Sequence, residues 1–126
     1  MMKALSIVHP AGTQIASGLK TLEIRRWQPE VQAGEKILLV ENEHFLTTDG
    51  QEEAGRAVAV ITLGEIRAFR REDIPQACAS YYEDGWLAWE IKTVKKIDNP
   101  FSIRAARKLY EIDDTVLHSV ELTNIR

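Results

Sequence analysis

The sequence predicts a mainly β fold with short helices (α+β), a small, partly closed β-barrel with helices at its rim. Three observations lead there. Runs of alternating or β-branched apolar residues recur along most of the 126 residues. Few helical segments separate them, so most neighbouring strands are expected to pair antiparallel. The regular alternation of strand and crossover helix that marks a doubly wound sheet is not found.

The elements follow in order. KALSIVHP, Lys3 to Pro10, reads as a first strand with Leu5 and Ile7 on one face; Pro10 ends it because proline has no N–H for a ladder. AGTQIASG reads as a short helix, with Ile15 and Leu19 four residues apart and Gly18 near its end. TLEIRRW alternates: Leu22 and Ile24 point one way, and Thr21, Glu23, Arg25 and Trp27 the other. EKILLVENEH is the third strand, after a turn at Ala33-Gly34. QEEAGRAVAVITLGEIRAF contains a long strand whose Val58, Val60 and Ile61 predict burial on both faces. REDIPQACASYYEDG is helix-like, with Pro75 in a first turn or at a break. WLAWEIKTVKKI is another strand. FSIRAARKLYEI has two readings, a helix over IRAARKL or a closing strand at KLYEI. The last segment, TVLHSVELTNIR, either adds a strand or packs as a tail.

Bulk properties narrow the classes. Length and the lack of repeats or linkers predict one domain over residues 1–126. Cys78 is the lone cysteine, which excludes an internal disulfide and CxxC metal pairs and fits a reducing compartment. With no signal-peptide pattern and no apolar run long enough to span a bilayer, a cytoplasmic location without membrane contact is expected. The net charge of −3 and the pI near 5.6 disfavour a bulk-basic nucleic-acid binder. Any RNA contact must then come from a local basic groove or a pocket for one nucleotide.

The segment SGLKTLEIRRW carries the densest local chemistry. Lys20 follows a helix end and precedes a strand. Glu23 and Arg25 stand two apart and share a strand face, where opposite charges fix each other's geometry. Arg25 offers a planar fork of donors suited to a phosphate or a base edge. Trp27 lies on the same face and is a candidate for stacking on a base. On these residues alone, a solvated strand face and a binding site are both open.

GLKTLEIRRW resembles the GxKxxExR signature of the ASCH domains through Gly18, Lys20, Glu23 and Arg25. ALSIVHP, EKILLV, GRAVAVITLGEI, GWLAWEIKTV and NPFSIRAARKLYEI resemble the family's other segments in the right order, so the resemblance covers about residues 3–112 and leaves the residues after Asp113 uncovered. It implies a PUA-like β-barrel with a cleft beside the signature that binds RNA or a nucleotide. Relatives imply two further readings. One is an enzyme in the same cleft, a ribonuclease on single-stranded RNA or an amidohydrolase on a modified nucleoside such as acetylcytidine, with Lys20 and Glu23 as its catalytic residues. The other is a protein-interaction module in transcription or translation. Amidohydrolase members carry threonine where this chain has Glu23, so their chemistry does not transfer unchanged; Lys20 polarising a carbonyl with Glu23 as general base is the altered form.

The remaining candidates are placed beside this site. His9, at the end of the first strand, is a ligand-binding candidate if it faces the cleft; a structural or surface histidine is the alternative. No cofactor is expected, apart from a divalent metal for a ribonuclease, and His9, His44 and His118 lack metal-ligand spacing. ENEH, Glu41 to His44, reads as a solvated loop or, alternatively, as carboxylates for a metal at a strand end, and Cys78 reads as a small core residue. Trp89 reads as core. Arg25 with Arg26, Arg67 with Arg70 and Arg71, and Arg104 with Arg107 and Lys108 form basic clusters, two of which line one groove if the closing segment runs beside the signature strand.

Overall fold

A computed structural model describes residues 1–126. β1 (Met2–Val8) leads into helix α1 (Ala11–Ala16), then β2 (Leu22–Arg25), β3 (Ile37–Asn42) and β4 (Glu52–Ala68). A 3-10 turn (Arg71–Asp73) and the one-turn helix α2 (Ile74–Ala77) precede β5 (Leu87–Ala106) and β6 (Leu109–Ile112). A second 3-10 turn (Asp114–Leu117) leads to β7 (Leu122–Asn124). The strands form one curled sheet, a half-barrel of PUA-like form, in the order β2-β5-β4-β3-β1-β6, with β7 also against β5. No helix is long and apolar enough to cross a membrane.

The pairing is antiparallel except between β1 and β3. The parallel pair needs a long crossover, and α1 with β2 supplies it. Placing β1 between β3 and β6 leaves β2 and the β1–β6 side as the two margins of the curled sheet.

Every residue of β3 is buried, because the sheet carries a core on each face here. Leu5, Ile7, Ile37, Leu39, Ile61, Trp89 and Ile91 fill the inner face beneath Ile15 of α1. Ala4, Leu38, Val40, Val60 and Ile97 fill the other. Alternation therefore decides which core a side chain enters, not whether it is buried. Ala57 to Ile61 are buried as a run, as the valine-rich stretch predicts. A smaller cluster of Leu22, Phe69, Ala77 and Ala88 sits under α2.

Two open readings are settled and one expectation is revised. The strand expected over WLAWEIKTVKKI continues through Pro100 to Ala106, so FSIRAARKLYEI contains no helix. The ladder with β4 jumps from Ala57–Phe101 to Ala59–Lys96, and the proline, lacking an N–H, falls inside this break. Arg107 and Lys108 then turn the chain into β6, with Lys108 in the left-handed region at φ 61°. The segment around Cys78 holds only one helical turn. Cys78 adopts φ 51° as its C-cap and is half-buried rather than a core residue. The tail adds a short strand: β7 pairs with Lys95–Ile97, and Arg126 Nε donates to the Ile91 carbonyl at 3.0 Å, covering the β5 edge that β2 leaves open.

Candidate functional site

The site is built from the end of α1 outward. Gly18 at φ 84° turns the chain, and the amides of Leu19 and Lys20 both donate to the Gln14 carbonyl, at 2.9 and 3.1 Å. That turn drives the Lys20 side chain inward. Its Nζ donates to the Ala77 carbonyl at the end of α2 and lies 3.3 Å from Glu23 Oε1. Lys20 is only 6% exposed, so it stands behind the cleft rather than on its rim.

Glu23 faces inward from β2 directly opposite Trp89 of β5. Its second oxygen, Oε2, accepts from Arg25 Nε at 2.7 Å, and Arg25 Nη2 donates to the Ser6 carbonyl at 2.9 Å. One chain of contacts thus links α2, β2 and β1 through Lys20, Glu23 and Arg25. Burial alone pushes the Glu23 carboxyl up. The charges and hydrogen bonds of Arg25 and Lys20 outweigh that push and hold it below the ordinary carboxylate range. Glu23 is therefore an ionised, fully engaged carboxylate.

Arg25 opens onto a cleft of about 640 Å³ between β2, the end of β1, the β3–β4 loop and the β5–β6 turn. Glu23, Arg25, Arg26 and Trp27 form one wall, while Arg107 and Lys108 stand on another. The closing strand pairs with β1 rather than with the signature strand, and it splits its basic cluster: Arg107 and Lys108 reach the groove of Arg25 and Arg26, whereas Arg104 pairs with Glu52 at 2.6 Å beside a different hollow. Aromatic rings hold the cations in place. Lys108 Nζ lies 5.2 Å and Arg25 Cζ 5.9 Å from the Trp27 ring centre, and Arg26 Cζ lies 5.2 Å from that of Trp86. Trp27 itself packs edge-on against buried Trp89, with ring centres 4.8 Å apart. Arg107 makes an exposed 2.8 Å pair with Asp49, a type of contact worth little in water.

His9 does not join this cleft. Its Nδ1 lies 3.2 Å from Glu41 Oε1, and its ring borders a separate hollow of about 270 Å³ that Arg56 and Ser102 also line. ENEH is not a solvated loop either. Glu41 and Asn42 are buried at the end of β3. Glu41 Oε2 accepts the Thr13 amide at 2.7 Å and so anchors α1 to the sheet. Burial raises the Glu41 carboxyl, and the Thr13 and His9 contacts bring it below its ordinary range. His44 pairs with Glu53 at 3.0 Å.

The sequence reading did not single out the β3–β4 loop as cleft wall, yet His44, Phe45 and Thr47 line it. The available signal was Phe45, a large aromatic residue within the polar run NEHFLTTDG that ends in a turn-forming Asp-Gly.

Comparison with curated proteins gives no match. The model of the ASCH domain matches residues 5–101, from β1 into the second half of β5 and across the whole Gly18–Arg25 signature. That match spans well over half of the chain, and with the curled sheet and the position of the signature strand on the page, the chain belongs to the ASCH domain family.

Proposed function

We propose that this ASCH domain protein binds single-stranded RNA, or a nucleotide drawn from it, in the cleft beside β2. One observation carries the reading. A chain of net charge −3 gathers Arg25, Arg26, Arg107 and Lys108 around a single cavity. The acidic side chain lining that cavity, Glu23, is already neutralised by Arg25 and Lys20. The cavity wall is therefore locally positive, as a phosphate-bearing ligand requires, without a basic surface overall. Its volume also falls within the usual range of roughly 300–1,000 Å³ for small-molecule sites.

The same geometry supports binding over catalysis by Lys20 and Glu23. A general base needs a pKa near the working pH and a free lone pair aimed at its proton. Glu23 is held below its ordinary range, and its oxygens accept from Lys20 and Arg25. Lys20 lies behind it with its ammonium turned to Ala77. These residues read as the brace that sets Arg25, and Arg25 as the group that meets the ligand.

The test is a titration of the purified chain with a short single-stranded RNA and with acetylcytidine, followed by fluorescence anisotropy or calorimetry. The parent is expected to bind RNA, and Arg107→Ala with Lys108→Ala is expected to weaken it by about tenfold or more. Equal binding by parent and variant would sink the cleft assignment.

A further inference from the structure

Trp27 is the aromatic residue that the sequence marks for base stacking, but its surroundings leave it poorly suited to that role. Lys108 and Arg25 both lie within cation–π range of its ring, and Trp89 packs against it at 4.8 Å in an edge arrangement. Trp27 is also packed against the inner core. It serves as a post that aims two cations into the cleft.

Phe45 has the opposite character. It lines the same cavity from the β3–β4 loop, yet it is 79% exposed and belongs to none of the apolar clusters. Such exposure leaves a phenyl ring in water, a standing cost that burial against a ligand would remove. Its flanking residues add polar groups to the cleft wall: His44 on one side, and Thr47 two residues on. The same cavity is also lined by Arg25, Arg26, Arg107 and Lys108. An exposed apolar ring and a set of cations lining one open groove are the parts that single-strand binders use, where bases stack on aromatic rings and the backbone follows the charges.

We infer that Phe45 is the base-stacking residue of this cleft: an unpaired nucleobase lies on its ring while the adjoining phosphates meet Arg25, Arg26, Arg107 and Lys108. The inference deepens the RNA-binding reading and rests on it. It assigns Trp27 and Phe45 different work, the first positioning cations and the second contacting bases. It also makes the ligand a single strand, because bases within a duplex have no free face to offer. A protein partner seated on Phe45 is the competing occupant, and the same experiment separates the two.

The experiment compares a short oligoadenylate with an abasic ribose-phosphate oligomer of equal length, each labelled and followed by fluorescence anisotropy. Parent, Phe45→Ala and Phe45→Trp chains are titrated with both. Phe45→Ala is expected to weaken oligoadenylate by about tenfold while leaving the abasic oligomer unchanged, and Phe45→Trp is expected to restore the parent affinity. Phe45 is a surface residue, so circular dichroism of the alanine variant should match the parent. If Phe45→Ala binds oligoadenylate as the parent does, or weakens both oligomers equally, the stacking assignment is overturned while RNA binding by the cleft stands. If the parent binds neither oligomer, the RNA-binding reading falls and the stacking assignment with it.

Discussion

Arg25 on β2 reaches across the open side of the curled sheet to the carbonyl of Ser6 on β1, 2.9 Å away. The two strands do not pair with each other. The β1–β6 ladder ends at Leu5, and the Ser6 amide still donates to the Lys108 carbonyl at 3.3 Å just before β6 begins. A guanidinium therefore bridges two strands that share no backbone ladder, and it also lines the cleft. The same side chain closes the seam and forms part of the cationic wall.

Replacing Arg25 should reveal both roles. Arg25→Ala leaves Glu23 buried with Lys20 as its remaining partner, and we expect a loss of about 2–4 kcal/mol. Arg25→Lys keeps the charge but not the fork, so it should recover the Glu23 pair or the Ser6 contact and fall between the two. Urea unfolding measures the order; an alanine variant as stable as the parent would remove the seam from the account.

Acid should act through the same carboxylate. Glu23 titrates below its ordinary range in the folded chain, so its contribution is complete above the unfolded carboxylate value, near about 4, and is lost as pH falls through the folded value. Glu23→Gln removes that proton-linked part. The variant should be less stable than the parent at neutral pH, yet lose less on going down to about pH 3. Parallel slopes in unfolding free energy against pH would contradict this.

Asp73 braces the site from the far side. Its oxygens accept from Arg67 at 2.7 and 3.0 Å, and one of them also accepts the Arg70 amide at 2.9 Å. Hydrogen bonding to Arg67 holds its carboxyl below the ordinary range. Asp73 precedes α2, whose Gln76 carbonyl accepts the Thr21 amide and whose Ala77 carbonyl accepts Lys20. Asp73→Ala should cost about 2–4 kcal/mol. Hydrogen exchange should then show the Thr21 amide opening faster; unchanged exchange there would mean that α2 does not depend on this brace.

Salt should report the cations one by one. Arg26→Ala and Lys108→Ala should each weaken RNA binding similarly for different sequences and lower the slope of log K against log salt by about 1. Removing Asp49, the exposed partner of Arg107, should strengthen binding slightly. An unchanged slope in both cation variants would place the RNA elsewhere.

Much of this was legible in one dimension because strand alternation is local. The period of two in LEIR put Glu23 and Arg25 on one face and Leu22 and Ile24 on the other, and the structure keeps that division. The burial of β4 on both faces followed from its run of apolar residues. Helical spacing over IRAARKL left that segment open between helix and strand, and pairing with β4 decided it, because the long hairpin overrides local propensity. The direction of the His9 ring was not legible for a related reason: closeness in sequence to the signature does not fix it, and the buried Glu41 of β3 draws it to a different hollow.

The sequence by itself determined a strand-rich chain, the family, and a charged signature whose members share a face. Only the tertiary structure decided that Lys20 is buried behind Glu23, that Arg25 closes the seam to Ser6, and that Arg107, Lys108 and Phe45 arrive at the same cleft. The reason is range. Alternation, turns and propensity act over a few residues, whereas these contacts join segments such as residues 20 and 77, or 6 and 25, that meet only when the sheet curls.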